Sequence, residues 1–152
     1  MIRRYYLAYG MNTNLSSMAT RCPQARSLGR VVLKNHKLTF KNFCDVVKQK
    51  GANVECALWS ITDACEQSLD RLEGYPHFYK KKEVSVDHDG RTIRAMIYYM
   101  TDSFHLGLPG QGYLDMVTAG YKEHSISVTQ IIKALEELEQ CTSLSETKQL
   151  VN

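Results

Sequence analysis

One stretch of this sequence has both of its ends written into it. In Thr62–Pro76 (TDACEQSLDRLEGYP), Thr62 or Asp63 can cap a helix, and Glu66 stands three residues after Asp63, as in a capping box. Cys65, Leu69 and Leu72 then recur at i, i+4 and i+7, which makes one apolar helical face. Gly74 suits the position just past a helix end, and Pro76 forbids continuation. A single amphipathic helix of fixed length is therefore set between segments of a different period.

Those segments read as strands. Ile2 to Tyr9 (IRRYYLAY) is rich in β-branched and aromatic residues, and Gly10 stops it at a turn-forming cluster, Gly10–Asn14. Asn14 can cap a short helix from Leu15 to Arg21, which Pro23 ends. Ser27 to Phe43 reads as two strands or one long bent strand, Gln49–Asn53 as a loop, and Val54 to Ile61 as a strand carrying the only tryptophan, Trp59. Tyr79–Val86 and Thr92–Met100 alternate, joined by Asp87-His88-Asp89-Gly90, a strong hairpin signal. After a glycine-rich loop around Pro109, Tyr113–Tyr121 and Val128–Leu138 read as helices. With no repeat and no linker, the expectation is one α+β domain over residues 1–141, two or three helices covering a mostly antiparallel sheet or barrel, and a polar tail over 142–152.

Composition narrows the function classes. Among 152 residues, 43% are hydrophobic and 23% charged, as in an ordinary globular protein, and a chain of this size needs no metal or disulfide staple. No apolar run approaches the roughly 18 residues of a membrane-spanning helix. A net charge of +3 is too small to imply a nucleic-acid partner, and the densest basic run, Lys80-Lys81-Lys82, meets Glu83 at once. The five cysteines (22, 44, 56, 65 and 141) and five histidines (36, 77, 88, 105 and 124) show no metal-ligand spacing, so no metal or cofactor is expected. The start, MIRRYYLAYG, has no apolar signal core, which sets the expectation at reduced thiols and a cytoplasmic location.

Glu73 is oddly placed. It is the next i+4 step after Cys65 and Leu69, so a carboxylate follows the core-facing stripe at the helix C-terminus. Burial and the carbonyl end of the helix both disfavour its charge and push its pKa toward the range useful for proton transfer at neutral pH. The alternative is a last turn that rotates Glu73 to solvent, or pairs it with Arg71 or Lys80. A second feature is the strand-ending turn Tyr9-Gly10-Met11-Asn12, whose backbone N–H groups can hold a carboxylate or an oxyanion.

Several segments together resemble the gamma-glutamylcyclotransferase-like family. Tyr6–Asn12 (YLAYGMN) is similar to its Tyr-Gly-Ser-Asn-type strand and turn, and Ala57–Ile61 (ALWSI) to its small-apolar-Trp strand. Leu69–Pro76 (LDRLEGYP), followed by Tyr79, resembles its Leu-Asp-x-x-Glu-Gly segment, and Pro109, Tyr113 and Gly120 resemble a later Pro-x-x-x-Tyr and Gly. The match spans roughly residues 4–125.

The resemblance implies a small mixed β-barrel with flanking helices. It also implies cyclisation of a γ-glutamyl amide by its own α-amine, which releases 5-oxoproline and an amine or amino acid. Glu73 would be the general acid/base, the Gly10, Met11 and Asn12 backbone would hold the glutamyl end, and Tyr9, Tyr79 and Tyr113 would line the pocket. The partner implied is a small γ-glutamyl substrate. Met11 departs from the family's usual Ser. The competing expectation is a family-like barrel that binds a small ligand or a protein without turnover.

Overall fold

The computed structural model describes residues 2–151, with side chains described through Cys141. Strand β1 (Arg3–Ala8) leads through a 3-10 turn (Met11–Thr13) to helix α1 (Leu15–Arg21). As expected, Asn14 caps α1: its side chain accepts from the Ser17 N–H at 3.0 Å. A long hairpin follows, β2 (Arg26–Phe40) and β3 (Cys44–Thr62), then α2 (Asp63–Leu72), the β4 (Tyr79–His88) and β5 (Arg91–Met100) hairpin, and helices α3 (Gln111–Glu123) and α4 (Thr129–Val151). In the second hairpin His88 faces Arg91, and Asp89 and Gly90 both take positive φ, the requirement of a two-residue turn of this type. Residues 142–152, expected as a polar tail, lie outside those whose side chains are described.

The β2–β3 hairpin differs from expectation. Its turn is Lys41–Phe43, with Asn42 at φ 67°, rather than Gln49–Asn53. Residues 49–53 belong to β3, where the register jumps from Lys34↔Asn53 to His36↔Lys48. The surplus residues bulge outward, and the Gly51 N–H is held by the Asn35 side chain at 3.1 Å.

The sheet is mixed, in the order β2-β3-β1-β5-β4, with β1 and β5 its parallel pair. The expected mixed α+β architecture holds, but the sheet is not closed, so it is a barrel only loosely. The sheet curls so that its edges approach through side chains, Lys82 Nζ lying 3.0 Å from His36 Nε2, while β2 and β4 share no ladder. Leu7, Phe40, Val54, Leu58, Ile61 and Ile97 fill the interior, and α3 and α4 cover it with Val117, Tyr121, Ile131, Ala134 and Leu138. Among the described residues no helix is long and apolar enough to cross a membrane.

Candidate active site

The end of β1 is held by its carbonyls. The Tyr121 hydroxyl donates to Tyr9 O (2.7 Å), Thr13 N–H and Oγ1 to Gly10 O, Asn14 N–H to Met11 O (3.0 Å), and Trp59 Nε1 to Asn12 O (2.9 Å). Four successive carbonyls are thus occupied. The first N–H groups of a helical turn have no partner within the turn, and Gly10, Met11 and Asn12 at the start of this one line a cavity of about 230 Å³. Gly10 is needed for close packing: a Cβ there would lie 2.9 Å from the Tyr113 hydroxyl and 3.0 Å from Cys44 Cβ.

The opposite wall is built by the end of α2. Thr62, not Asp63, caps the helix, with its hydroxyl accepting from the Cys65 N–H at 3.2 Å; Glu66 instead pairs with Arg4. Cys65 and Leu69 are buried. At the other end Gly74 takes φ +63°, Tyr75 N–H reaches Asp70 O (2.9 Å), and Gly74 N–H reaches Arg71 O (3.3 Å). This paired closure of a helix end requires a residue free to adopt positive φ. It leaves Glu73 as the C-cap residue just past α2 and turns the chain back, so that Tyr79 N–H donates to Glu73 O at 3.2 Å.

The Glu73 side chain enters the cavity rather than solvent. Asn12 Nδ2 donates to Glu73 Oε1 (3.3 Å) and to the Tyr6 hydroxyl (3.0 Å), while Arg21 donates to Asn12 Oδ1. Burial pushes the Glu73 carboxyl up to about 7, against the opposing pull of the Arg21 charge and the Asn12 hydrogen bond. Burial also drives the Tyr6, Tyr9, Tyr79, Tyr98 and Tyr113 hydroxyls further from neutrality, and the Cys44 thiol up to about 12. Cys44 is therefore no thiolate at neutral pH, and its sulfur is a poor nucleophile. The carboxyl of Glu73 is poised to exchange a proton.

All seven residues singled out in the sequence line this one cavity: Tyr9, Gly10, Met11, Asn12, Glu73, Tyr79 and Tyr113. The tyrosines are anchored through their hydroxyls. Tyr9 donates to Tyr98 O (2.6 Å), Tyr79 donates to Cys44 O (2.8 Å), and Tyr113 accepts from the Cys44 N–H (3.0 Å). All three hydroxyls are thus already engaged with backbone groups.

Sequence reasoning missed Arg21, Tyr6, Tyr98, Phe43, Phe78 and Leu72, which also line the cavity. Arg21 reads in the sequence as a basic residue closing a short helix, and only the folded loop brings it to Asn12. Tyr6 sits in a strand where Tyr6, Leu7 and Ala8 are all buried, so alternation singles out no face. Among the described residues no three His, Cys, Asp or Glu side chains gather into a cage for a metal ion.

A family profile described as gamma-glutamyl cyclotransferase, AIG2-like, matches residues 6–117, from the second half of β1 through the loop and α2 to the first half of α3. The chain belongs to this family. A solved gamma-glutamyl cyclotransferase superposes with a TM-score of 0.78 at 23% identity, covering 88% of this chain and 86% of that one. An uncharacterized protein from Homo sapiens gives a TM-score of 0.78 at 25% identity, with 87% and 86% coverage. An AIG2-like protein from Mus musculus gives 0.59 at 17% identity, with 75% and 84% coverage. These likenesses extend to the whole α+β fold. No curated protein sequence matches the chain.

Proposed function

We propose that this protein cyclises a γ-glutamyl amide to 5-oxoproline, with Glu73 as the acid and base. The observation that carries the reading is a carboxyl raised to about 7 and hydrogen-bonded to Asn12, in a cavity whose only thiol is held protonated. Such a reaction needs no protein nucleophile, because the attacking nitrogen belongs to the substrate.

The steps balance around two protons, both supplied by the substrate's α-ammonium. Glu73 takes a proton from the substrate's α-ammonium, and the freed amine attacks the γ-carbonyl carbon to close a five-membered ring. As the bond from that carbon to the leaving nitrogen breaks, Glu73 returns the proton to that nitrogen, and the second ammonium proton, left on the ring nitrogen by the attack, passes through Glu73 to the departing amine, which leaves as its ammonium ion. The Gly10, Met11 and Asn12 backbone receives the glutamyl end, and the rings of Tyr9, Tyr79 and Tyr113 hold it in the near-attack geometry.

The test is mass-spectrometric detection of 5-oxoproline from γ-glutamyl amides, with wild type and Glu73→Gln compared. The amide keeps the shape but accepts no proton, so kcat is expected to fall about 10²–10⁴-fold with the fold intact. A folded Gln variant that matches wild type removes Glu73 from the mechanism. Absence of 5-oxoproline from every amide favours a binding module without turnover.

A further inference from the structure

We propose that the group released from the γ-glutamyl amide is an apolar amine with no charged group beyond the released nitrogen itself, received by a collar of Phe43, Phe78, Leu72 and Met11 at the cavity. The proposal rests on the cyclotransferase reading above and adds the class of leaving group to it.

Charge is the first argument. Among the described side chains lining the cavity, only Arg21 and Glu73 come from the Lys, Arg, Asp and Glu set. A γ-glutamyl end carries one ammonium and one carboxylate, so it matches both. A second charge on the leaving group finds no counter-ion on the wall. Two lysines outside the lining are paired with carboxylates: Lys41 Nζ lies 2.8 Å from the buried Asp45, and Lys81 Nζ lies 3.0 Å from Asp70.

The second argument is the apolar surface left open. Phe43 and Leu72 remain 43% and 46% exposed although they line the same cavity as Glu73. Phe43 ends the Lys41–Phe43 turn, and its ring meets Tyr113 edge-on at 5.2 Å and Phe78 at 6.1 Å. Phe78 in turn packs on Phe104 at 5.0 Å and on Tyr79 at 5.3 Å. The rings are therefore fixed by one another before any ligand arrives. Exposed apolar side chains gathered on a cavity rim are the mark of a binding surface, whereas scattered ones are not. Met11, on the same wall, adds a flexible thioether that fits an apolar group.

The experiment compares kcat/KM for 5-oxoproline release from γ-glutamyl-benzylamide, γ-glutamyl-3-methylbutylamide, γ-glutamylglycine and Nε-γ-glutamyl-lysine. All four release a primary aliphatic amine, so the ratio reads recognition of the released group. The two apolar amides are expected to exceed the two charged ones by roughly tenfold or more, the worth of part of an apolar side chain removed from water. Phe43→Ser and Leu72→Ser, each checked by thermal melt, are expected to narrow that ratio several-fold. Equal or reversed values with active enzyme overturn the leaving-group proposal and leave the cyclotransferase reading standing. A ratio untouched by either folded variant overturns the collar. No product from any of the four overturns the underlying reading, and this one with it.

Discussion

The decisive interactions at the residue scale converge on one carboxyl. Desolvation raises the Glu73 pKa, while the Arg21 charge and the Asn12 amide hold it back. As a base, Glu73 works when ionised, so kcat/KM is expected to rise with pH through an apparent pKa near 7. In Arg21→Gln the positive charge that favours the carboxylate is gone, so the limb is expected to move to higher pH. A complete pH–rate profile of each protein measures this. An unmoved limb in a folded, active variant means that the Arg21 charge does not reach the carboxyl. Glu73 was legible in the sequence because helix period and the Gly74 stop both fix its place. Arg21 was not, because its partnership runs through the fold of a loop, and nothing in the local pattern encodes that.

At the scale of elements, the site depends on how closely α3 rides over the loop after β1. A Cβ on Gly120 would lie 2.2 Å from Thr13 Oγ1 and 2.6 Å from the Asn14 backbone nitrogen. Backbone cannot swing aside as a flexible side chain can, so Gly120→Ala must push α3 away from Thr13 and Asn14. Overpacking of this kind costs about 1–3 kcal/mol, and roughly 2–4 °C of Tm accompanies each kcal/mol in a chain of this size. Turnover is expected to fall too, since Asn12 is part of the displaced loop. Gly112→Ala is the control: nothing lies near that Cβ, and its Tm is expected to stay within about a degree or two of wild type. Elements with local signals were readable: the capped α2, the Asp89-Gly90 hairpin and the Asn14 cap. The β2–β3 turn was not. Gln49–Asn53 has loop composition yet lies within β3, because an outward bulge tolerates the same polar residues and glycine that a loop does.

For the molecule as a whole, the order of strands and helices was legible from period and punctuation. Closure of the sheet was not, because whether β2 and β4 pair or merely touch through Lys82 and His36 depends on accumulated twist, not on any local residue. Stability carries the imprint of the site. The Glu73 carboxyl goes from 4.5 to about 7 on folding, so the folded protein binds that proton more tightly than the unfolded chain does. This contribution is fully present below pH 4.5 and is lost as pH rises through about 7. At 1.36 kcal/mol per unit its upper bound is roughly 3 kcal/mol, and solvent in the open cavity lowers it. Glu73→Gln stays neutral at every pH and has no such loss. His36, whose pKa burial lowers, titrates in both proteins and cancels in the difference. The variant's Tm minus that of wild type is therefore expected to be small near pH 5, to grow toward pH 7 and to level off above about pH 8. Melts at half-unit pH steps in one ionic strength measure that curve. A difference that stays flat with pH would show that the native carboxyl is not desolvated, and would remove the reason for assigning it proton transfer near neutrality.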